Sequence, residues 1–211
     1  MSEDPPDSNA AATAIEQVAV IGAGSIGAAF ALTFADAGFA VRMHDADRAV
    51  RRSAKQRIAD SLADLESFDL CADAIDAILQ RIQVVDDVSD AVAGSDHVQE
   101  CVPEELDLKR RVFSEVDALA DEITTIASAS SAILCSEIAA GLPHAERCLV
   151  AHPGNPPYLL RVVEVVPAPF TSSFAIERVT TLMASARLVP VVLRREIRGF
   201  VFNRLQGAVL R

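Results

Sequence analysis

No unbroken apolar run in this 211-residue chain approaches the ~18 residues a bilayer span requires, so no membrane-crossing segment is read from it. The opening stretch, MSEDPPDSNAAATAIE, lacks both the basic segment and the apolar core of a signal peptide. Residues 1–16 are therefore predicted to form a disordered acidic tail. Positive charge is also scarce: 19 Lys and Arg stand against 30 Asp and Glu, a net charge of −11. Nucleic acid and anionic membrane are poor partners for such a chain, because both bind through clustered cations that release counterions. An anionic cofactor is not excluded, since a helix N-terminus supplies positive potential locally. The four cysteines, Cys71, Cys101, Cys135 and Cys148, show no CxxC spacing, and three fall in or beside apolar runs. They read as buried free thiols in a reducing, cytoplasmic compartment, with no metal site. Repeats and low-complexity tracts are missing as well.

What is present is enough apolar material, 51% of residues, to bury a full core. Strand-length apolar runs at 18–21, 41–44, 82–85, 97–102, 124–127 and 148–151 alternate with helical patterns. That alternation predicts an α/β, Rossmann-like, doubly wound and mostly parallel sheet. Between the second and third strands, residues 47–81 are longer than a crossover needs, with Phe68, Asp69 and Leu70 marking a break, so a projecting helical hairpin insertion is expected. Further on come a strand at 162–166, a helix near 172–187, a strand at 189–193 and a last helix starting at Gly199. The closing GFVFNRLQGAVLR is apolar and stops in mid-pattern without a C-cap glycine, which reads as a chain cut short. The expected organisation is a cofactor-binding domain over 17–195 and, over 196–211, the first helix of a truncated, all-helical C-terminal domain.

The most informative segment is QVAVIGAGSIGAAFALTFADAGFAVRMHD, residues 17–45. A strand, a GxGxxG turn, a helix and a second strand ending in an acid follow in the order a dinucleotide site requires. Gly22, Gly24 and Gly27 permit a tight turn, close approach of backbone to a pyrophosphate, and close helix–strand packing. Ser25 and Ile26 open the helix whose N-terminus would hold the phosphates. Asp45 would take the ribose hydroxyls and favour NAD over NADP, a preference that nearby Arg42 and Arg48 moderate. Alone, a glycine triplet in a Gly/Ala-rich chain means little; the flanking strand, helix and acid give it weight.

A second constellation lies in HPGNPPYLLRVVEVV. His152 ends one strand and Glu164 sits on the next, where alternation presents Val162, Glu164 and Val166 on one face. A carboxylate bonded to an imidazole fixes its tautomer and raises its basicity, which equips a general base. An isolated pair of this kind is more often a satisfied histidine and an exposed acid. Beside a dinucleotide fold the balance reverses, because oxidising an alcohol requires a base near the C-terminal strand ends.

Together, IGAGSIGAAF, HVQECVPEELDLKRRVF, ASASSAILCSEI, CLVAHPGNPPYLLRVVEVVP and EIRGFVFNRLQ resemble the 3-hydroxyacyl-CoA dehydrogenase superfamily, within it the lambda-crystallin or L-gulonate 3-dehydrogenase branch. The resemblance runs nearly the whole length. It implies His152 as catalytic base, Glu164 as its carboxylate partner, Ser131 as the hydroxyl meeting the substrate's reacting oxygen, and Asn203 as the residue completing the pocket. Glu104 matches a position near the nicotinamide, although it also reads as an acid at the start of the helix ELDLKRRVF. The implied reaction is NAD-dependent oxidation of the 3-hydroxyl of a small L-3-hydroxy acid such as a sugar acid. Carnitine, a 3-hydroxyacyl-CoA held by Arg48, Arg51, Arg52, Lys55 and Arg57, or an NAD-binding module without turnover are the alternatives. Family members continue into a helical domain that closes the site and makes the homodimer. Two departures stand out: Ala129 replaces a polar residue of the family's SNTS or SSTS pattern, and Gly154 is expected to loosen the loop behind His152.

Overall fold

The computed structural model describes residues 15–210, so the predicted acidic tail lies outside the described residues except for Ile15 and Glu16. Eight strands form one sheet: β1 (Gln17–Ile21), β2 (Ala40–His44), β3 (Ile82–Val84), β4 (His97–Glu100), β5 (Thr125–Ser128), β6 (Cys148–Pro153), β7 (Val162–Pro167) and β8 (Val189–Val192). Their spatial order is β3-β2-β1-β4-β5-β6-β7-β8, and every pairing is parallel except β6 with β7. The order reverses between β1 and β4, the switch point where open α/β sheets hold ligands.

β1, β4 and β5 are near-continuous apolar or fully buried runs because helices cover both faces of a parallel sheet. On one face lie α1 (Ser25–Asp36), α2 (Arg48–Glu66), α3 (Ile75–Gln80) and α7 (Ser173–Ser185), packed around Phe30, Phe34, Met43 and Leu182. On the other lie α4 (Val88–Val92), α5 (Leu106–Leu119) and α6 (Cys135–Ile138), packed around Phe113, Val98 and Ile126. Full burial of each such side chain is worth about 1.5–3 kcal/mol. The insertion after β2 breaks where the sequence suggests, with Asp69 in the left-handed region at φ 55°. It does not project, however: Ala54, Ile58, Leu62 and Leu65 of α2 form an apolar stripe buried in the core shared with α1. The last helix, α8 (Phe202–Val209), buries none of its residues. β4 is shorter than expected, because beyond Glu100 the chain turns across the glycine loop and the Glu100 carboxylate takes the Val102 amide at 2.6 Å.

No described helix is long and apolar enough to cross a membrane. All four cysteines are free thiols, but only Cys135 and Cys148 are buried; Cys71 and Cys101 are half-buried. Burial pushes the Cys148 thiol up to about 12.

One core residue makes stability depend on pH. His97 is fully buried against Phe34, with Nδ1 2.8 Å from Thr125 Oγ1. Burial, aided by the Arg178 charge and opposed by Gln99 and Asp96, drives its pKa from 6.5 to about 4. The native state thus refuses a proton that the unfolded chain accepts below about 6.5. Stability should be complete above that pH and fall as the pH approaches 4, by up to about 3 kcal/mol. Urea titrations at stepped pH check this, and His97→Gln should flatten the slope in that window.

Candidate active site

The turn after β1 is built by steric necessity. Gly22 has φ +99°, and a Cβ there would lie 2.6 Å from the Cys101 carbonyl carbon. At Gly27 a Cβ would sit 1.8 Å from the Gly22 oxygen, whereas at Gly24 it would meet nothing within 4 Å. The chain's own packing therefore demands two glycines, while the third leaves bare backbone toward a cavity of about 670 Å³ that Gly24, Ser25 and Ile26 border. α1 has no side-chain cap and no acid in its first turn, so its leading amides are open to an anion.

A second cavity of about 810 Å³ adjoins the first across Asp45, Asp47 and Val102 and extends past His44 and Asp87. Two adjoining lobes, one of them bordered by the bare N-terminus of α1, fit a dinucleotide, with Asp45 in the wall of both. The Asp45 carboxylate also accepts from the Ala23 amide at 2.7 Å and the Asp47 amide at 2.9 Å, bracing the turn. Arg42 bonds the carbonyls of Asp90 and Ala93. Arg51 comes nearer, bonded to the Asp45 carbonyl at 2.5 Å, but it is shared with Asp86. Arg57, whose importance the sequence hid in a charged helical run, bonds the Ala23 carbonyl and ties α2 to the glycine turn.

The antiparallel pairing of β6 with β7 brings the second constellation together. His152 of β6 and Glu164 of β7 are register partners, so their side chains share a face, and His152 Nδ1 lies 2.8 Å from Glu164 Oε2. Both are buried. Glu164 Oε1 accepts from the amides of Val201 and Phe202 at 2.8 and 2.9 Å. With Nδ1–H donating to Glu164, the neutral imidazole keeps its Nε2 lone pair for the cavity that His152 lines. Gly154 does not loosen the loop behind it. A Cβ there would lie 2.8 Å from the Leu160 oxygen and 2.9 Å from the Leu160 Cβ, so glycine permits a close chain crossing.

Ser131 borders the same cavity on the turn after β5, and Asn203 Nδ2 donates to its carbonyl at 2.9 Å. Glu104 does not cap α5, whose start has no side-chain cap. Instead it clamps the Ser131 turn, accepting from Ser130 Oγ at 2.7 Å and from the amides of Ser131 and Ala132 at 3.0 Å each. Partial burial opposes its charge, but Ser130, Lys109 and the turn amides outweigh that and hold its pKa below the usual value. Lys109 is buried on α5, 2.9 Å from Glu100 Oε1 and 3.5 Å from Glu104 Oε2. Burial raises the Glu100 pKa against the pull of Lys109 and Ser128. Neither Glu100 nor Lys109 is conspicuous in the sequence; an acid inside the fully buried run HVQE was the available sign. The site thus assembles an open helix N-terminus, a carboxylate-backed imidazole and a serine-bearing turn clamped by Glu104 around connected cavities.

The family model for the 3-hydroxyacyl-CoA dehydrogenase NAD-binding domain matches residues 17–197. A lambda-crystallin homolog of Bos taurus is 43% identical over 195 residues, covering 92% of this chain and 61% of the relative. An L-carnitine dehydrogenase of Oceanobacillus iheyensis is 36% identical over 197 residues, covering 93% and 63%. Among solved structures, 3-hydroxybutyryl-CoA dehydrogenase of Escherichia coli superimposes with a TM-score of 0.85 at 29% identity, covering 91% of this chain and 40% of that one. The chain therefore spans about three fifths of the length of these curated relatives.

Proposed function

This chain belongs to the 3-hydroxyacyl-CoA dehydrogenase superfamily, in its lambda-crystallin branch, and carries its NAD-binding domain; from that premise we propose that the whole protein is an NAD-dependent dehydrogenase of small L-3-hydroxy acids. The observation that carries the proposal is the buried His152–Glu164 pair at 2.8 Å, facing the cavity that Gly24 and Ser25 also border. NAD, when bound, supplies the hydride acceptor for the carbon that bears the hydroxyl. Gly22, Gly24, Ser25, Ile26 and Gly27 form the phosphate cradle and Asp45 takes the adenosine ribose. Ser131 holds the substrate's hydroxyl oxygen, and His152 Nε2 removes its proton. Glu164 balances the imidazolium that results, while the Phe200 and Phe202 rings, 5.5 and 6.2 Å from the imidazole, shield it from water. Asn203 and Glu104 fix the Ser131 turn from opposite sides.

A free hydroxy acid is favoured over an acyl-CoA by the L-carnitine dehydrogenase relatives, whose named substrate is a free hydroxy acid, although Arg48 and Arg52 border a basic cavity of about 650 Å³ on the insertion. Arg51, Arg57 and Lys55 are tied to backbone carbonyls near the cofactor cradle or within the hairpin. The far end of α2 carries Asp60, Asp64 and Glu66, followed by exposed Phe68, so a CoA phosphate would be met only at the near end, by Arg48 and Arg52. Parallel assays of the full-length protein with gulonate, carnitine, 3-hydroxybutyrate and 3-hydroxybutyryl-CoA test the assignment. Highest kcat/KM on the CoA thioester would overturn the substrate class, and no NADH formation with any of them would leave only a binding module.

Cofactor choice follows from Asp45. Asp45→Ser should lower the ratio of NAD to NADP turnover by about tenfold or more, the scale of one relieved charge contact. An unchanged ratio would remove Asp45 from that role.

A further inference from the structure

Between Arg198 and Asn203 the backbone does something expensive. Gly199 has φ +75° and Phe200, a bulky non-glycine residue, has φ +45°. Left-handed geometry is disfavoured for phenylalanine, and it persists only where surrounding contacts impose it. The contacts here are plain. The Phe200 ring is fully buried in the core that also contains Ile138 and Leu193. Upstream, Glu196 Oε1 accepts from the Ser136 amide at 2.9 Å and Arg198 pairs with Glu137 at 2.5 Å, anchoring the segment to α6. The reversal that follows aims two successive amides, those of Val201 and Phe202, at one oxygen of Glu164.

We propose that the left-handed turn at Gly199–Phe200 is a positioning device for the His152–Glu164 pair: its two amides hold Glu164 Oε1, so that Oε2 remains on His152 Nδ1. The inference rests on the reading of His152 as the base. A carboxylate bound only through Oε2 would be free to rotate about its terminal torsion, which is broad for glutamate. Two amides at the start of α8 remove that freedom. Phe200 is thus a positioning residue: its ring fixes the turn, the turn fixes the amides, and the amides fix the carboxylate behind the base.

The test removes one donor without touching the side chains of the pair. In the full-length protein, Val201→Pro deletes the amide hydrogen at a position already in the right-handed helical region, where φ is −89°. Val201→Ala trims a largely exposed side chain and keeps the amide. The expected result is a kcat about 10- to 100-fold lower for Val201→Pro than for Val201→Ala, the range of a hydrogen bond to a charged group, with equal Kd for NAD. Equal kcat in the two variants would overturn the proposal. Should Val201→Pro fail to fold, ¹⁵N-resolved amide proton shifts decide instead: Val201 and Phe202 should move upfield in Glu164→Gln, and unmoved resonances would overturn it. Retained turnover in His152→Gln would sink the base assignment itself, whereas an inactive His152→Gln with equal Val201 variants would sink the positioning role alone.

Discussion

Replacing His152 with Gln should lower kcat by about 10²–10⁴-fold, the usual contribution of a positioned general base, while Kd for NAD stays within about twofold. The two readouts separate because the imidazole and the cofactor cradle stand on different strands. His152 is the penultimate residue of β6, and the cradle follows β1, with β4 and β5 between them in the sheet. Glutamine preserves much of the volume and a polar group but cannot carry the proton. Stopped-flow measurement of NADH formation and fluorescence titration of NAD check the two halves. Turnover near wild type would remove His152 from the chemistry.

Gly27→Ala and Gly24→Ala should fail in opposite ways, though both alter the same turn by one methyl group. At Gly27 the methyl has nowhere to go, 1.8 Å from a backbone oxygen that belongs to Gly22. Displacing that oxygen means parting α1 from the strand it follows, and a loss of about 3 kcal/mol or more is expected in the cofactor-free protein. At Gly24 the methyl meets no atom within 4 Å. Its backbone, at φ −67° and ψ −167°, suits alanine, so the melting temperature should hardly change. NAD affinity should nevertheless drop at least about tenfold, because the methyl fills the space through which the phosphates reach the α1 amides. Thermal melts paired with NAD titrations of both variants read the contrast. A stable Gly24→Ala protein with wild-type affinity would mean that the phosphates lie elsewhere.

The frame of the molecule was legible because it follows periodicity and glycine sterics. The runs at 18–21, 41–44 and 82–85 became β1, β2 and β3 with boundaries moved by a residue at most. What escaped depends on pairings that distance along the chain conceals. Lys109 lies on an amphipathic helix where lysine usually means solvent, and only the fold sets it against Glu100 and Ser128. Glu104 stands where an acid favours a helix start, yet its oxygens point across to a turn more than two dozen residues away. Gly154 looked like lost bulk because its steric partner, Leu160, belongs to the returning chain. The short helices α4 and α6 carry too few turns for a period to register.

The antiparallel register of β6 and β7 has a consequence for how the cavity wall can change. Because His152 and Glu164 face each other through the ladder itself, strand pairing brings them together, and of the connection between the strands the close crossing of Gly154 with Leu160 is the part that packs behind them. That connection, Asn155 to Arg161, borders the cavity through Asn155. Substitutions at Asn155 therefore alter the cavity wall, while the Gly154–Leu160 crossing and the His152–Glu164 pair stay in place. Within a few residues, the hairpin places a sterically fixed crossing beside an edge that can vary.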